Sequence, residues 1–314
     1  MPITTDPGPA DTEKPIDRAR AERLMRLATY AAVAVAGSLV AVKFAAWVLT
    51  DSVSILSTLI DSMLDVAASV VNLLAVRHAL QPADEQYRFG YGKAESLAGL
   101  AQAGFISGSA IFLLIESGER LYSPTAISNT PVGYAVMGVA IVATLALVTF
   151  QKYVARRTRS VAISADSAHY TMDILVNVSV IVSLFLASGP GWTLADPLFA
   201  IAIAVYILRG AYEVGRDAFM VLMDRELPED DREKIRQLAL AHPKVLGIHD
   251  LRTRQSGPDV FIQLHLELPG DLTLNAAHAV ADVVIDSVEA AFPRAEVLVH
   301  EDPTGVKESR AFED

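Results

Sequence analysis

Six apolar runs fill the first two thirds of the chain, at about 28–49, 52–76, 95–121, 131–153, 161–188 and 194–212. Each is close to the roughly 20 residues that a helix needs to cross the hydrocarbon core of a bilayer. Lipid offers no partner to an open backbone group, so runs of this length predict α-helices, which satisfy their own hydrogen bonds. With 52% hydrophobic residues, only 20% charged ones and a mean hydropathy of +0.35, a wholly soluble globular protein is excluded. From about residue 213 onward charges, prolines and short alternating segments take over. The expected organisation is a tail over 1–27, a six-helix transmembrane domain over 28–212 and a soluble domain over 213–314.

Six crossings return both termini to one side, and the basic residues choose it. Lys14, Arg18, Arg20, Arg23 and Arg26 precede the first run, Arg77, Arg88 and Lys93 follow the second, and Lys152, Arg156, Arg157 and Arg159 follow the fourth. The opposite loops offer only Arg120. The positive-inside rule therefore puts both ends in the cytoplasm. The first 27 residues carry Asp, Glu and Pro with no small-residue cleavage site after an apolar core, so no removable signal peptide is expected. The chain has no cysteine, which rules out disulfides and thiolate metal sites. A net charge of -11, its acidic excess lying largely in the soluble domain, argues against nucleic acid as a partner.

Within the second run, "LIDSMLD" places Asp61 and Asp65 one helical turn apart. An Asp at the centre of a membrane helix costs about 2.5 to 3.5 kcal/mol, so two of them need compensation. The fifth run supplies it in "SADSAHYTMD", where His169 and Asp173 repeat the four-residue spacing. Residues i and i+4 share one helix face, so two facing helices would converge three carboxylates and one imidazole. Oxygen and nitrogen donors of this number suit a tetrahedral divalent cation, zinc or a similar first-row ion. Such ligands bind metal only when deprotonated, and the unliganded cluster would take up protons instead; a site that holds either one is the core of an antiporter. The competing reading makes these residues packing groups hydrogen-bonded across the bundle, a role that does not require two matched pairs on separate spans. Gly104 and Gly108 in "GFISGS" predict close helix packing, Lys43 is expected to snorkel toward the outer interface, and Asn72 and Asn177 read as interhelical hydrogen-bonding groups.

In the soluble part, 229–241 reads as an amphipathic helix. "VLGIHDLRTRQSG" and "DVFIQLHLEL" alternate around a Gly-Pro turn as paired strands, "LTLNAAHAVADVVIDSVEAAF" has helical period, and "AEVLVHEDP" is a third strand. This α-β-β-α-β order predicts helices on one face of a small sheet. Four of the chain's seven histidines fall here as His249, His265, His278 and His300, with Asp302 beside the last. Together they suggest a second metal site in which one sheet face gathers His249, His265 and His300 and Asp302 bridges two ions. His242 and His78 read as cap or surface groups.

The motifs "STLIDSMLD", "QPADEQYRFGYGKAESLAGLAQ", "ADSAHYTMD" and "HDLRTRQSGPDVFIQLHLEL" closely resemble the cation diffusion facilitator family, in particular its bacterial zinc and ferrous-iron efflux members, over nearly the whole chain. The resemblance implies a six-helix bundle with a ferredoxin-like, metallochaperone-like cytoplasmic domain, assembled as a homodimer in the bacterial inner membrane. It implies that Asp61, Asp65, His169 and Asp173 form the transport site. It also implies that His249, His265, His278, His300 and Asp302 form a binuclear zinc site that stabilises the cytoplasmic dimer. Lys93 and Asp224 would be a charge pair locking the membrane halves at the cytoplasmic surface, and Glu301 an outer hydrogen-bond acceptor beside Asp302. One departure concerns the loop after the second span: the family's peripheral zinc site uses an Asp and two His, whereas this chain has Asp84 with Tyr87 and Tyr91. A phenol of pKa about 10 is a poor zinc ligand at neutral pH, so this loop site is expected to be absent or very weak. The implied activity is export of Zn2+, with ferrous iron, cadmium or manganese also accepted, in exchange for protons by alternating access. The alternatives are a membrane-anchored metal sensor and a proton-coupled exporter of organic cations. No phosphate-cradling loop or nucleophile motif points to an enzyme.

Overall fold

In the computed structural model, residues 18–51, 53–122, 131–187 and 195–305 are described. Six long helices come first: α1 (Arg18–Thr50), α2 (Val53–Ala79), α3 (Lys93–Tyr122), α4 (Pro131–Thr158), α5 (Val161–Ala187) and α6 (Ala195–Leu222). Among the described residues, five contain apolar stretches of 22 to 31 residues, long enough to cross a membrane. The sixth, α5, is 27 residues long and carries the ionisable groups Asp166, His169 and Asp173. Large apolar side chains such as Leu49, Phe112 and Val142 point outward, as they do where lipid is the solvent.

Helix α3 lies along α6 and α1 along α2, while α5 touches α4, α6, α3 and α2. Close approach relies on small residues, though not on the expected pair. A Cβ placed on Gly104 or Gly108 would meet nothing within 4 Å, so that pair does no packing within the described chain. Instead, a Cβ on Gly215 would lie 3.2 Å from Ala103, and one on Gly99 would lie 3.0 Å from Val161 and 3.4 Å from Ala218. The same contacts explain why α6 outlasts its apolar run. Past residue 212 its apolar positions keep helical spacing against α3, and the helix continues to Leu222.

The soluble domain follows as α7 (Glu229–Leu240), β1 (Gly247–Ser256), β2 (Asp259–Leu268), α8 (Leu274–Ala291) and β3 (Ala295–Pro303), the order the alternation predicts. The sheet order is β1-β2-β3, with β1 antiparallel and β3 parallel to β2. A parallel neighbour needs a crossover, and α8 provides it. Thr273 caps α8 by accepting from the Ala276 N–H at 3.3 Å. The core between helices and sheet gathers Ile235 and Ala239 of α7, Ile262, Leu264 and Leu266 of β2, and Val280, Val284 and Val288 of α8.

The turn of the β1–β2 hairpin rests on the loop that follows α2. Gly257 has φ +58, which glycine adopts without a Cβ penalty. The two backbones are so close that a Cβ on Gly92 would lie 2.1 Å from the Ser256 carbonyl oxygen, and one on Gly257 would lie 2.9 Å from the Gly92 Cα.

Candidate metal centres

The membrane site is built where α2 crosses α5. One turn along α2 from Asp65, the Ser69 hydroxyl lies 2.6 Å from that of Tyr170, next to His169, and further on the Asn72 amide donates to the Ala162 carbonyl at 3.5 Å, so the faces carrying Asp65 and His169 are held opposed. Asn177, by contrast, donates to Asp173 O within its own helix at 2.7 Å. His169 Nε2 lies 3.2 Å from Asp65 Oδ1 and 3.8 Å from Asp173 Oδ2. The three residues offer ligand atoms that all lie within 4.8 Å of one another. Donors about 2.0 to 2.2 Å from a tetrahedral zinc stand roughly 3.3 to 3.6 Å apart, so these spacings are of the right size for one ion.

Asp61 is not in this group of three. It sits one turn nearer the other end of α2, is exposed, and acts on Asp65 through its charge. A turn of α2 spans about 5.4 Å, too far for both carboxylates to sit at contact distance from one imidazole in this arrangement. Lys43 also departs from expectation. Its ammonium turns onto α2, donating to Ser62 Oγ at 2.6 Å and to Thr58 O at 3.1 Å, where the charges of Asp65, Asp173 and Asp61 act on it. These two acceptors hold it against the bundle in place of a path to the outer interface.

Two further acids lie on the side of the cluster nearer the start of α5. Asp166, one turn before His169 and 1% exposed, accepts from Gln151 Nε2 at 2.5 Å. Glu95, at the start of α3 and fully buried, accepts from the Ser160 hydroxyl and from the Ala162 N–H at 3.3 Å. Sequence reading passed over both. The available signal was an acid on the same three-to-four-residue stripe as His169, and another in the first turn of α3.

The soluble domain gathers its histidines by strand register. His249 of β1 pairs with His265 of β2, and His265 pairs with His300 of β3, so one row of the sheet carries all three. Asp302, two residues beyond His300, projects to the same face. Its Oδ2 lies 2.7 Å from His265 Nδ1 and 3.4 Å from His249 Nε2, while its Oδ1 lies 3.2 Å from His300 Nε2. One carboxylate therefore faces imidazoles with each of its two oxygens, the disposition a bridging ligand needs. His249, His265 and Asp302 offer ligand atoms that all lie within 4.8 Å of one another.

His278 stands apart. It projects from α8, 70% exposed, with its Nε2 3.6 Å from Asp282 one turn on. Glu301, odd in the alternation of β3, falls on the opposite face from His300 and Asp302. The outer carboxylates are others: Glu267 Oε1 lies 3.5 Å from His249 Nδ1, and Asp250 Oδ2 lies 3.8 Å from His265 Nε2. Asp250 arrives there because β1 is irregular between His249 and Arg252, with Asp250 at φ 51.

At the loop after α2 the Asp84 carboxylate is already occupied. Oδ1 accepts the Gln86 and Tyr87 N–H groups at 2.9 and 2.8 Å, and Oδ2 accepts the Tyr91 hydroxyl at 2.5 Å. That hydrogen bond pushes the Tyr91 phenol up to about 12 and holds Asp84 below its ordinary value. Nearby, Lys93 Nζ lies 2.9 Å from Asp224 Oδ1 and donates to Leu222 O at 3.3 Å. The guanidinium of Arg254, 3.6 Å from Asp224 Oδ2, lies over the rings of Phe89 and Phe261 at 4.5 and 5.0 Å.

Comparison with known proteins assigns the two halves separately. Residues 29–223 match the cation efflux transmembrane domain, and residues 227–304 match the cytoplasmic domain of cation efflux proteins. The cation-efflux pump FieF of Serratia proteamaculans (strain 568) is 50% identical over 284 residues, covering 90% of this chain and 94% of that one. FieF pumps of Salmonella paratyphi A and Salmonella agona are each 48% identical over 293 residues, covering 93% of this chain and 97% of theirs. The chain belongs to the cation efflux family of membrane transporters, the cation diffusion facilitators, and within that family it is of the FieF type.

Proposed function

We propose that this chain exports Zn2+ from the cytoplasm in exchange for protons, also accepting ferrous iron, cadmium or manganese. The observation that carries the reading is the Asp65, His169 and Asp173 cluster, formed by two membrane helices with donor spacings of 3.2 and 3.8 Å. Asp61 completes the ligand set when α2 shifts relative to α5, and that rearrangement is part of alternating access. Metal entering the cluster displaces the protons its ligands hold, and protons returning from the outer side displace the metal. Ligands without thiolates discriminate by geometry and availability, so several first-row ions are substrates. The bundle sits in the bacterial inner membrane with both termini in the cytoplasm, and the Lys93–Asp224 pair ties α3 to the end of α6 there.

The cytoplasmic domain holds a binuclear zinc site in a homodimer. His249, His265 and one oxygen of Asp302 take the first ion; His300 and the other oxygen begin a second. His278, too far away on its own chain, is the exposed imidazole that a second copy can contribute, which is how zinc would stabilise the dimer. The loop site around Asp84 is absent or very weak, because its carboxylate is engaged by three hydrogen bonds and its phenol stays protonated. A proteoliposome assay with an imposed pH gradient tests the central reading. Zinc should enter vesicles of the parent protein with counterflow of protons and should not enter those of Asp65→Ala; zinc flux at the parent rate in that variant rejects the transport site.

A further inference from the structure

Between the cytoplasmic end of α4 and the soluble domain lies a cavity of about 930 Å³ with an unusual charge for a chain of net charge -11. Lys152, Arg156, Arg157 and Arg159 line it from the membrane side, and Lys234 of α7 and Arg294 before β3 line it from the soluble side. Among the described residues the one acid in the lining, Asp231, pairs with Arg159 at 3.0 Å. Lys152, Arg156 and Arg157 of α4 and Arg159 just after it are explained by membrane orientation alone, because cytoplasmic flanks are basic. Lys234 is not, and Arg294 also acts through its charge on the buried Glu95. Helix α7 opens with Glu229, Asp230 and Asp231, yet it directs a lysine here, and that lysine lies 5.1 Å from the Phe292 ring of the same wall.

We propose that this cavity binds the phosphate headgroup of an anionic phospholipid of the cytoplasmic leaflet and so ties the soluble domain to the membrane half. Six cations from two separate domains around one opening select a phosphodiester. Basic pockets at the cytoplasmic ends of membrane helices are suited to such headgroups. The depth of the site favours a lipid over a dissolved anion. Lys152 and Tyr153 belong to the apolar stretch of α4 that ends at Thr158, and Tyr153, 44% exposed with Arg157 5.4 Å from its ring, is the kind of aromatic found at headgroup level. The cations draw the phosphate in, and the acyl chains remain along the outer surface of α4.

The test uses full-length protein and a native mass spectrometric titration with phosphatidylglycerol and phosphatidylcholine, together with thermal unfolding in the presence of each lipid or of inorganic phosphate. Phosphatidylglycerol should bind at least fivefold more tightly than phosphatidylcholine and raise the unfolding temperature. The double variant Lys234→Gln/Arg294→Gln should lose that preference, as should Lys152→Gln/Arg156→Gln from the other wall. Lys244→Gln, outside the cavity, should retain it. Equal binding of the two lipids, a preference that survives in both double variants, or full competition by millimolar inorganic phosphate would each overturn the assignment.

Discussion

The two histidine–carboxylate clusters of this molecule are assembled by different rules. The membrane cluster takes two residues from one turn of α5 and one from α2, so its geometry depends on how two helices cross. The soluble cluster takes one histidine from each strand of a hydrogen-bonded sheet, His249, His265 and His300, so its geometry depends on register. A crossing can shift by a fraction of a turn at low cost, but a register cannot shift without turning every side chain to the other face. The donor sets differ in the same sense. Carboxylates dominate in the bundle, giving a site whose charge must be balanced by metal or protons; imidazoles dominate in the sheet, giving a site that holds an ion without that demand. On the proposed reading, the bundle cluster is suited to a carrier and the sheet cluster to a fixed clasp.

The sharpest way to break this contrast is to remove one ligand from each. Asp65→Ala should reduce zinc flux into proteoliposomes at least a hundredfold while leaving the zinc content of the soluble domain unchanged by elemental analysis. Asp302→Ala should do the reverse: the soluble zinc is lost and the dimer dissociates at lower dilution in light scattering, while flux falls less than tenfold. If both variants abolish flux equally, the division between carrier and clasp fails. Lys43→Met tests whether the carrier is balanced by a fixed cation. Removing a positive charge from beside Asp61, Asp65 and Asp173 should tighten zinc binding about tenfold by calorimetry and slow turnover, since like charges repel at short range in a low dielectric. Weaker binding would assign the lysine to structure alone.

The smallest effect is expected at the Asp84 loop. Its carboxylate lies below the ordinary range because the Tyr91 hydroxyl donates to it, so the hydrogen bond adds stability above the unfolded carboxylate pKa of about 4 and loses it as pH falls through the lowered value. Tyr91→Phe should flatten that acid-side dependence in thermal melts and leave zinc uptake unchanged. Tight zinc binding at this loop, in a protein whose two other clusters have been removed, would contradict the reading of its tyrosines.

What the sequence made legible follows from the range of each interaction. The i,i+4 pairs Asp61/Asp65 and His169/Asp173 and the six apolar runs are properties of single helices, so they can be read without knowing how helices meet. The alternation of 247–268 likewise reveals two strands and their turn. What stayed hidden depends on meetings. Nothing local says that Lys43 finds Ser62 and Thr58 across a helix pair, or that Asp61 stays a turn away from Asp65, His169 and Asp173. Nor does anything local say that the irregularity after His249 brings Asp250 toward His265 while Glu301 faces away. Gly104 and Gly108 carried the packing signature, but the close contacts fell to Gly99 and Gly215, whose partners Val161, Ala218 and Ala103 lie in other segments or far along the chain.

The contact between Gly92 and the Ser256–Gly257 turn has a mechanical meaning. Two strips of main chain meet there, with the small Ser256 side chain the only other group beside Gly92 at that distance, so the hairpin and the base of the third helix have little play between them. A swing of the soluble lobe must push or pull Gly92, and Lys93 directly after it starts the helix that lies along α6. Adding a single methyl group at residue 92 would act like grit in a hinge, with consequences for transport out of proportion to its size.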